Sequence, residues 1–266
     1  MIQLKQKQAQ NKALFRCLIK NKTETSADLY FYGDIVSDKN CKWSTDDKCP
    51  MDVVEALEDC KDIENLKIYI NSGGGDVFAG NAIYNRLKAH KAHKTVHIDG
   101  VAASIASVIA LAGDEIIMPE NSYMMIHKAW TIAVGNSDDL RNSADRLEQI
   151  EQSIVDVYNA CTGDDVDENK IKELMAAETW LSASEAADFF TAVTVSDSVK
   201  AAACMTDMEY MNAPKSILMK SAKPDDSHEE KPDEDDNPDK TQEKEVANTL
   251  NLIENFLFTE GECENE

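Results

Sequence analysis

Long apolar stretches are missing from this sequence of 266 residues. A transmembrane helix needs roughly 18 or more consecutive apolar residues, and the best candidate, residues 101–113, is too short and too rich in small side chains. The opening residues, MIQLKQKQAQNK, are polar and have no apolar core behind them of the kind that a secretory signal peptide contains. We therefore expect a soluble, intracellular protein.

Closely spaced cysteines and nucleotide-binding motifs are also missing. The seven cysteines are scattered, and no two are separated by two residues as they are in CxxC zinc and redox motifs. Reduced thiols of a cytosolic protein are the simplest interpretation. The sequence has no Walker motif, so we expect no ATP hydrolysis by this chain.

Positive charge is scarce. The chain has 27 Lys and Arg against 50 Asp and Glu, a formal net charge of -23. Nucleic acid and anionic membrane surfaces would repel such a chain, so neither is expected as a partner. The last 46 residues alone contain 16 acidic residues and 4 lysines, so the acidity reflects a tail more than an active site.

Composition divides the chain into four segments. Residues 1–26 are polar and basic, and we predict a mobile arm or a short helix there. Residues 27–197 are predicted to form the folded domain. Residues 198–245 are predicted to be an acidic, disordered linker, because residues 224–244 are rich in Asp, Glu, Lys and Pro and almost free of apolar side chains. Residues 246–266 include apolar residues at helical spacing, which predicts a short amphipathic element.

Strand and helix patterns alternate through the central segment. Strands are predicted at 28–33, 66–70, 95–98, 115–118 and 123–126, and helices at 51–62, 78–90, 103–112, 137–161, 166–177 and 183–190. Ser137 is expected to be the N-cap of the long polar helix. This alternation predicts an α/β domain with a largely parallel sheet and right-handed crossovers.

A serine lies where a predicted strand meets a predicted helix. Small residues flank Ser104 in the segment GVAASIAS, which would let a substrate backbone approach its hydroxyl, and a helix N-terminus favours negative charge nearby. Ser104 is therefore a candidate nucleophile. The alternative is a structural role in a tightly packed helix, which is what we expect for Ser107.

A histidine follows an apolar strand directly. Serine is a weak nucleophile without a positioned base, and imidazole is the usual base. His127, at the end of MMIH, is the candidate, although a histidine at a strand end can also be structural or simply exposed. The others are weaker candidates: His90, His93, His97 and His228.

A glycine-rich turn, INSGGGD, separates a predicted strand from a predicted helix at residues 70–76. Such turns expose backbone N–H groups. A phosphate cradle is one interpretation, but no lysine follows at P-loop spacing and the third glycine of GxGxxG is missing. An oxyanion hole fits better, because acyl transfer needs N–H donors aimed at one developing oxyanion.

The order and spacing of these three features closely resemble the Clp protease proteolytic subunit and its phage relatives, the head-maturation proteases. The matching segments are INSGGGDVFAGNAIYNRL, IDGVAASIASVIALAGDEI and MPENSYMMIH. The resemblance implies the Clp/crotonase spiral of ββα repeats, in which the helix at 137–163 looks like the protruding handle used for contact between rings. It also implies a homo-oligomeric ring of heptameric or double-ring form.

The resemblance implies a serine endopeptidase without metal or cofactor. The family's nucleophile falls on Ser104 and its general base on His127. Its oxyanion donors fall on the backbone N–H groups of Gly75 and Ile105.

Two site positions depart from the cellular Clp pattern. Gly73 stands where the family usually has proline, which loosens the turn but keeps the donors. The triad acid, usually aspartate, falls on Glu178 in the segment ETWLSA. A glutamate can orient an imidazole with a reach one methylene longer. Asp164 and Asp165 are the alternative acids.

The glycines, the DVFAG segment and the Glu-Thr-Trp triplet resemble the phage branch more than the housekeeping branch. This resemblance implies maturation of capsid or scaffold proteins, without ATP, in the cytoplasm of a bacterial host, by a phage or prophage product. The N-terminal segment does not resemble the family's axial loop, so an AAA+ unfoldase partner is not expected. The acidic tail would be a scaffold-like or self-cleaved extension, or a solubilising tail.

Three other functions stay open at this point. One is an ATP-dependent Clp proteolytic subunit that works with an unfoldase. A non-catalytic Clp-like structural subunit would lack Ser104 or His127, whereas both are present. A crotonase-type acyl-CoA enzyme would have a carboxylate in the place of Ser104.

Overall fold

The computed structural model describes residues 18–198 and 212–214. All of them belong to one compact unit, which spans residues 1–221. Most of the predicted N-terminal arm, nearly all of the acidic segment and the whole amphipathic element lie outside the described residues.

Eight strands and six α-helices make up the described part of the chain. The strands are β1 (Ile19–Lys20), β2 (Ser26–Tyr32), β3 (Asn65–Ser72), β4 (His93–Ala103), β5 (Glu115–Pro119), β6 (Tyr123–Ile126), β7 (Thr179–Ser182) and β8 (Val193–Ser196). The helices are α1 (Pro50–Asp59), α2 (Val77–Ala89), α3 (Ile105–Ala110), α4 (Ser137–Asn159), α5 (Glu168–Ala176) and α6 (Ala183–Phe189), and a 3-10 turn covers Lys39–Cys41.

All eight strands form one sheet, in the order β1-β2-β3-β4-β5-β8, with β6 paired to the far end of β4 and β7 paired to β6. The pairs along β2, β3, β4, β5 and β8 are parallel, as is β4 with β6, while β1 with β2 and β6 with β7 are antiparallel. The predicted α/β domain with a largely parallel sheet is confirmed. Among the described residues, no helix is long and apolar enough to cross a membrane.

The burial pattern of the central strands changes along their length. In the first half of β3 and β4, buried residues such as Ile68 and Val96 alternate with exposed or half-buried ones, because only one face is packed. On the other face, Tyr30, Tyr69 and His97 stack in a row. Towards their carboxyl ends both strands become continuously buried, so the ends that lead into the site are held by packing on both faces.

The structure corrects several details of the sequence prediction. Strand β4 continues past Gly100 to Ala103, because residues 101–103 pair with β6. The following helix is shorter than predicted and begins only at Ile105. Strands β7 and β8, which were not predicted, complete the sheet through pairing with β6 and β5. Strand β1 was not predicted either: Ile19–Lys20, in the segment predicted as a mobile arm or short helix, pairs with β2.

The N-cap of α4 is Asn136 and not Ser137. The Asn136 side chain accepts hydrogen bonds from the backbone N–H groups of Asp138 at 2.9 Å and Asp139 at 3.2 Å. An amide oxygen at this position satisfies two donors that the helix leaves open. In α4 the buried side chains lie near its carboxyl end, at Ile154, Val155 and Tyr158, which agrees with the predicted protruding handle.

Candidate active site

Parallel pairing brings the three predicted features to one edge of the sheet. Strand β3 ends at the glycine turn, β4 ends one residue before Ser104, and β6 ends one residue before His127. In the β4–β6 register Ala103 pairs with Met125. Because carboxyl ends of neighbouring parallel strands meet at one edge, residues distant in sequence become neighbours.

Ser104 lies in a strained turn between β4 and α3. Its φ of 55° and ψ of -129° fall in a region that residues with a Cβ rarely adopt, at a cost of about 1–3 kcal/mol. The surrounding structure holds this turn: the Ser104 N–H donates to the Met125 carbonyl at 2.9 Å, and the Ser104 carbonyl accepts from the Ser107 N–H at 3.0 Å. A sharp strand-to-helix turn projects a serine hydroxyl out of the backbone, as nucleophile elbows do.

The Ser104 hydroxyl is paired with the His127 imidazole. The distance between Ser104 Oγ and His127 Nε2 is 2.7 Å. The Ser104 side chain makes no capping hydrogen bond to α3, so the hydroxyl is directed at the base and not at its own helix. This distance is the one that proton transfer from serine to imidazole requires.

The glycine turn packs directly against the serine. Gly74 has a φ of 105°, and a Cβ added there would lie 2.7 Å from the Ser104 Cβ and 2.8 Å from the Ala103 carbonyl oxygen. Gly80, one turn into α2, leaves room for Ile105 in the same way, since a Cβ there would lie 2.1 Å from the Ile105 Cγ1. Only glycine therefore allows the turn and α2 to approach the Ser104 segment this closely.

Two backbone amides, that of Ile105 directly after Ser104 and that of Gly75 in the glycine turn, are candidates for oxyanion donors. Ile105 is the first residue of α3, where N–H groups have no partner within the helix. Beside Gly75, the Ile35 N–H donates to the Gly74 carbonyl and the Asp76 N–H donates to the Ile35 carbonyl. These two hydrogen bonds use the Gly74 carbonyl and the Asp76 N–H, which lie on either side of Gly75 in the chain. The Gly75 N–H takes no part in them.

The His127 side chain is partly buried. Burial lowers the pKa of the His127 imidazole, and the negative charge of Glu178 opposes that shift. A lowered pKa keeps the ring neutral near pH 7, which is the state that can accept a proton from a hydroxyl.

Antiparallel pairing places Glu178 beside His127. Ile126 pairs with Thr179 in the β6–β7 register, so the residue after Ile126 and the residue before Thr179 face one another. The Met175 carbonyl ties the two sides together, because it accepts from the N–H groups of both Lys128 and Glu178 at 3.2 Å. Glu178 is only 9% exposed and has a positive φ of 48°, so its carboxylate is held in place by tertiary structure.

Two donors hold one oxygen of the Glu178 carboxylate. Glu178 Oε1 accepts from the Trp180 Nε1–H at 3.4 Å and from the backbone N–H of Asn212 at 2.8 Å. Asn212 was not predicted as a site residue. It lies beyond the predicted domain, and the sequence around it, YMNAP, contains no pattern that would connect it with the site.

The alternative acids lie elsewhere. Asp164 and Asp165 are exposed in the turn between α4 and α5, whereas Glu178 is the acid whose charge acts on His127. His97 stacks on Tyr69 in the middle of the sheet face, with ring centroids 4.9 Å apart. The structure therefore brings together Ser104, His127 and Glu178, and their chemical roles stay predictions.

A charged cleft begins next to His127. It has a volume of about 590 Å³ and lies between α4 and α5; its lining residues are Lys128, Asp145, Glu148, Gln149, Glu151, Gln152, Val155, Lys172 and Met175. Lys128 Nζ pairs with Glu151 at 3.4 Å across it. Within the described residues, no group of three or more His, Cys, Asp or Glu side chains could hold a metal ion.

Known proteins match the same part of the chain. The family model described as Clp protease matches residues 23–196. The ATP-dependent Clp protease proteolytic subunit of Deinococcus radiodurans is 33% identical over 126 residues, which are 46% of this chain and 60% of that protein. The corresponding protein of Ligilactobacillus salivarius is 33% identical over 135 residues, 49% of this chain and 67% of that protein. Subunit 1 of Chlamydia abortus is 34% identical over 125 residues, 45% of this chain and 64% of that protein. The chain thus spans about three fifths of the length of the first of these relatives.

Proposed function

We propose that this chain, which belongs to the Clp protease family, is a serine endopeptidase with Ser104, His127 and Glu178 as its catalytic triad. The observation that carries the proposal is the 2.7 Å contact between Ser104 Oγ and His127 Nε2. It is supported by the strained turn that holds Ser104 and by the carboxylate beside the imidazole.

The proposed reaction is acyl transfer in two halves. His127 Nε2 takes the proton of the Ser104 hydroxyl as Oγ attacks the carbonyl carbon of a peptide bond. The tetrahedral intermediate collapses, the C–N bond breaks, and His127 gives its proton to the leaving amine. Water, deprotonated by His127, then attacks the acyl-serine ester, and Ser104 leaves with the returned proton.

The proposed oxyanion donors are the N–H groups of Gly75 and Ile105. Both are backbone groups on segments that pack against Ser104, so they need no reorganisation as negative charge develops on the carbonyl oxygen. Donors fixed in this way supply much of the rate enhancement in acyl transfer. No metal or organic cofactor has a role in this scheme.

Glu178 is the proposed acid of the triad. Its charge opposes the effect of burial on the pKa of His127, so it would stabilise the imidazolium that forms during the reaction. It would also hold the ring with Nε2 towards Ser104.

Fluorophosphonate labelling tests the peptidase proposal. The probe forms a covalent bond with an activated serine, so the wild-type chain should be labelled and Ser104→Ala should not. Ser143→Ala, a half-buried serine of α4 whose hydroxyl donates to the Asp139 carbonyl, serves as the matched control and should be labelled like wild type. Equal labelling of Ser104→Ala and wild type, or no labelling of a folded wild-type assembly, would contradict the proposal.

For the biological role, we propose processing of capsid or scaffold proteins without ATP, by a phage or prophage product in the host cytoplasm. The resemblance of the DVFAG and Glu-Thr-Trp segments to the phage branch supports this role. The acidic residues that follow the family match are also suited to a scaffold-like extension or one that the peptidase removes.

The relatives favour a second candidate role. Those named above are ATP-dependent proteolytic subunits, so the chain could instead act with an ATP-driven unfoldase. Digestion of a folded and an unfolded substrate separates the two roles. Cleavage of capsid or scaffold protein by the chain alone supports the first, whereas cleavage of a folded substrate only when an unfoldase and ATP are added supports the second.

A ring-shaped homo-oligomer is the proposed assembly. The segment between His127 and α4 exposes apolar side chains at every second position: Trp130 is 67%, Ile132 70% and Val134 87% exposed. An exposed alternating stretch of this kind is suited to pairing with another copy of the chain. Sedimentation of the full chain, compared with a Trp130→Ser and Ile132→Ser double variant, would show whether this segment supports the assembly.

A further inference from the structure

A short segment beyond the family match contacts the proposed triad acid. The family model ends at residue 196, yet Asn212 donates two hydrogen bonds to the segment that carries Glu178. Its backbone N–H bonds Glu178 Oε1 at 2.8 Å, and its side-chain Nδ2 bonds the Ala177 carbonyl at 3.0 Å. Asn212 is thus attached both to the Glu178 carboxylate and to the backbone of Ala177, the residue before Glu178.

Glu178 is a residue whose position needs such support. A glutamate has one more rotatable bond than the aspartate usual at this place, so more conformers compete with the one that faces the imidazole. Its positive φ of 48° is also unfavourable for a residue with a long side chain. The other donor to the same oxygen, Trp180 Nε1, is longer at 3.4 Å, so Asn212 provides the closer contact.

We propose that Asn212 is a positioning residue for the catalytic triad, which holds the Glu178 carboxylate so that its second oxygen faces His127. The inference rests on the proposed peptidase function. In this arrangement Oε1 is held by Asn212 and Trp180, and Oε2 accepts the N–H of the imidazole. The peptidase domain is then completed by a residue from the C-terminal extension, where no part of the family match lies.

The proposal predicts an effect on the electrostatics of His127. The charge of Glu178 acts on the imidazole directly, while Lys128, the next residue in the chain, pairs with Glu151 at 3.4 Å. Burial lowers the pKa of His127, and the charge of Glu178 raises it. If the carboxylate moves away from the ring, it raises this pKa less. Loss of the Asn212 contact should therefore lower the pKa of His127 further.

Substitutions of the full-length chain separate the two bonds. Asn212→Ala removes the bond to the Ala177 carbonyl but keeps the backbone N–H, whereas Asn212→Pro removes both donors. We expect kcat/KM on a fluorogenic peptide to fall about tenfold in Asn212→Pro and two- to threefold in Asn212→Ala, as expected for loss of one charge-assisted hydrogen bond and of one neutral one. Pro214→Ala, in the same segment, keeps both donors and is the matched control, which should stay within about twofold of wild type.

A double-mutant cycle with Glu178→Gln distinguishes positioning from general destabilisation. If Asn212 acts through the carboxylate, Asn212→Pro should cost little more once Glu178 is already Gln, so the two effects should not add. Fully additive losses would overturn the proposal. Thermal unfolding of each variant verifies that the compared proteins are folded.

A titration that needs no activity provides the second measurement. The imidazole signals of the histidines are followed by NMR against pH, and His127→Ala identifies the signal of His127. A lower His127 pKa in Asn212→Pro, and an unchanged one in Pro214→Ala, supports the proposal even if the chain proves not to be a peptidase. An unchanged pKa in Asn212→Pro overturns the role of Asn212 while leaving Ser104-dependent labelling, and so the proposed function, intact.

Discussion

The two halves of the proposed site, the nucleophile side around Ser104 and the acid side around Glu178, are built in different ways. On the nucleophile side, Ser104 is placed by contacts of backbone and small residues: the β4–α3 turn, the Met125 carbonyl and the close approach of Gly74. On the acid side, Glu178 is placed by the β6–β7 register and by side-chain and extension contacts from Trp180 and Asn212. We therefore expect the nucleophile side to tolerate little change in shape, and the acid side to depend on a few individual hydrogen bonds.

The largest expected effect comes from the nucleophile and its base. Ser104→Ala or His127→Ala should each lower kcat/KM by at least about 10⁴-fold, because each removes a group that acts in every step. The double variant should lose little more than either single one, since the two residues act as a unit. Steady-state hydrolysis of a fluorogenic peptide measures this, and a mere tenfold loss in either single variant would contradict the assignment.

Removal of the negative charge on the acid side should have the next largest effect. We expect Glu178→Gln to lower kcat about 10²- to 10⁴-fold, because the side chain keeps nearly the same shape but no longer stabilises the imidazolium. Asp165→Asn is the matched control at an exposed acid, and its activity should equal that of wild type. If Asp165→Asn were the damaging change, the triad acid would be misassigned.

A methyl group at the glycine turn should disturb the nucleophile side through shape alone. A Cβ at residue 74 would overlap the Ser104 Cβ at 2.7 Å and occupy a φ of 105°, so we expect Gly74→Ala to lower kcat about 100-fold through misplacement of the hydroxyl. Gly163→Ala is the control, because the added Cβ would meet only the Asp165 side chain, at 2.8 Å. Wild-type activity in Gly74→Ala would show that the turn is more adaptable than its packing indicates.

The pH dependence should distinguish the two sides. The proposed mechanism needs a neutral His127, so kcat/KM should rise with pH through the pKa of His127, which burial places below the ordinary histidine value. Glu178→Gln removes the charge that opposes this shift, so the rise should move to lower pH while the plateau falls. Gly74→Ala should lower the plateau and leave the midpoint in place. A shift to higher pH in Glu178→Gln would contradict the electrostatic role of Glu178.

The smallest expected effect concerns the packing beneath the nucleophile. Tyr158 is almost fully buried, and its hydroxyl pairs with Ser107 Oγ at 2.7 Å, while Ser107 Oγ also donates to the Ser104 carbonyl at 2.6 Å. Tyr158→Phe should lower the free energy of unfolding by about 1 kcal/mol with little change in kcat. Chemical denaturation measures the first quantity, and a large loss of kcat would show that the Tyr158 hydroxyl acts on the position of Ser104.

The difference between the nucleophile side and the acid side also explains which parts of the site could be predicted from the sequence. The contacts between Ser104, His127 and the glycine turn follow from three motifs that come after strands that pair in parallel, and the local sequence marks all three motifs. Strand β7, only four residues long, has too little pattern to be predicted, and tertiary pairing with β6 creates it. Strand β4 was predicted too short because Gly100 resembles a turn, yet its pairing with β6 continues beyond that glycine. Asn212 could not be predicted, because its hydrogen bonds to Ala177 and Glu178 span more than 30 residues of sequence and no motif marks it.

The most direct test of the account is to locate a covalent adduct by mass spectrometry after fluorophosphonate treatment of the full-length chain. The account predicts a single modified serine, Ser104, in wild type, and a strongly slowed modification of the same residue in His127→Ala. Modification of another serine, or modification of Ser104 at the same rate with and without His127, would contradict a Ser104–His127 nucleophile.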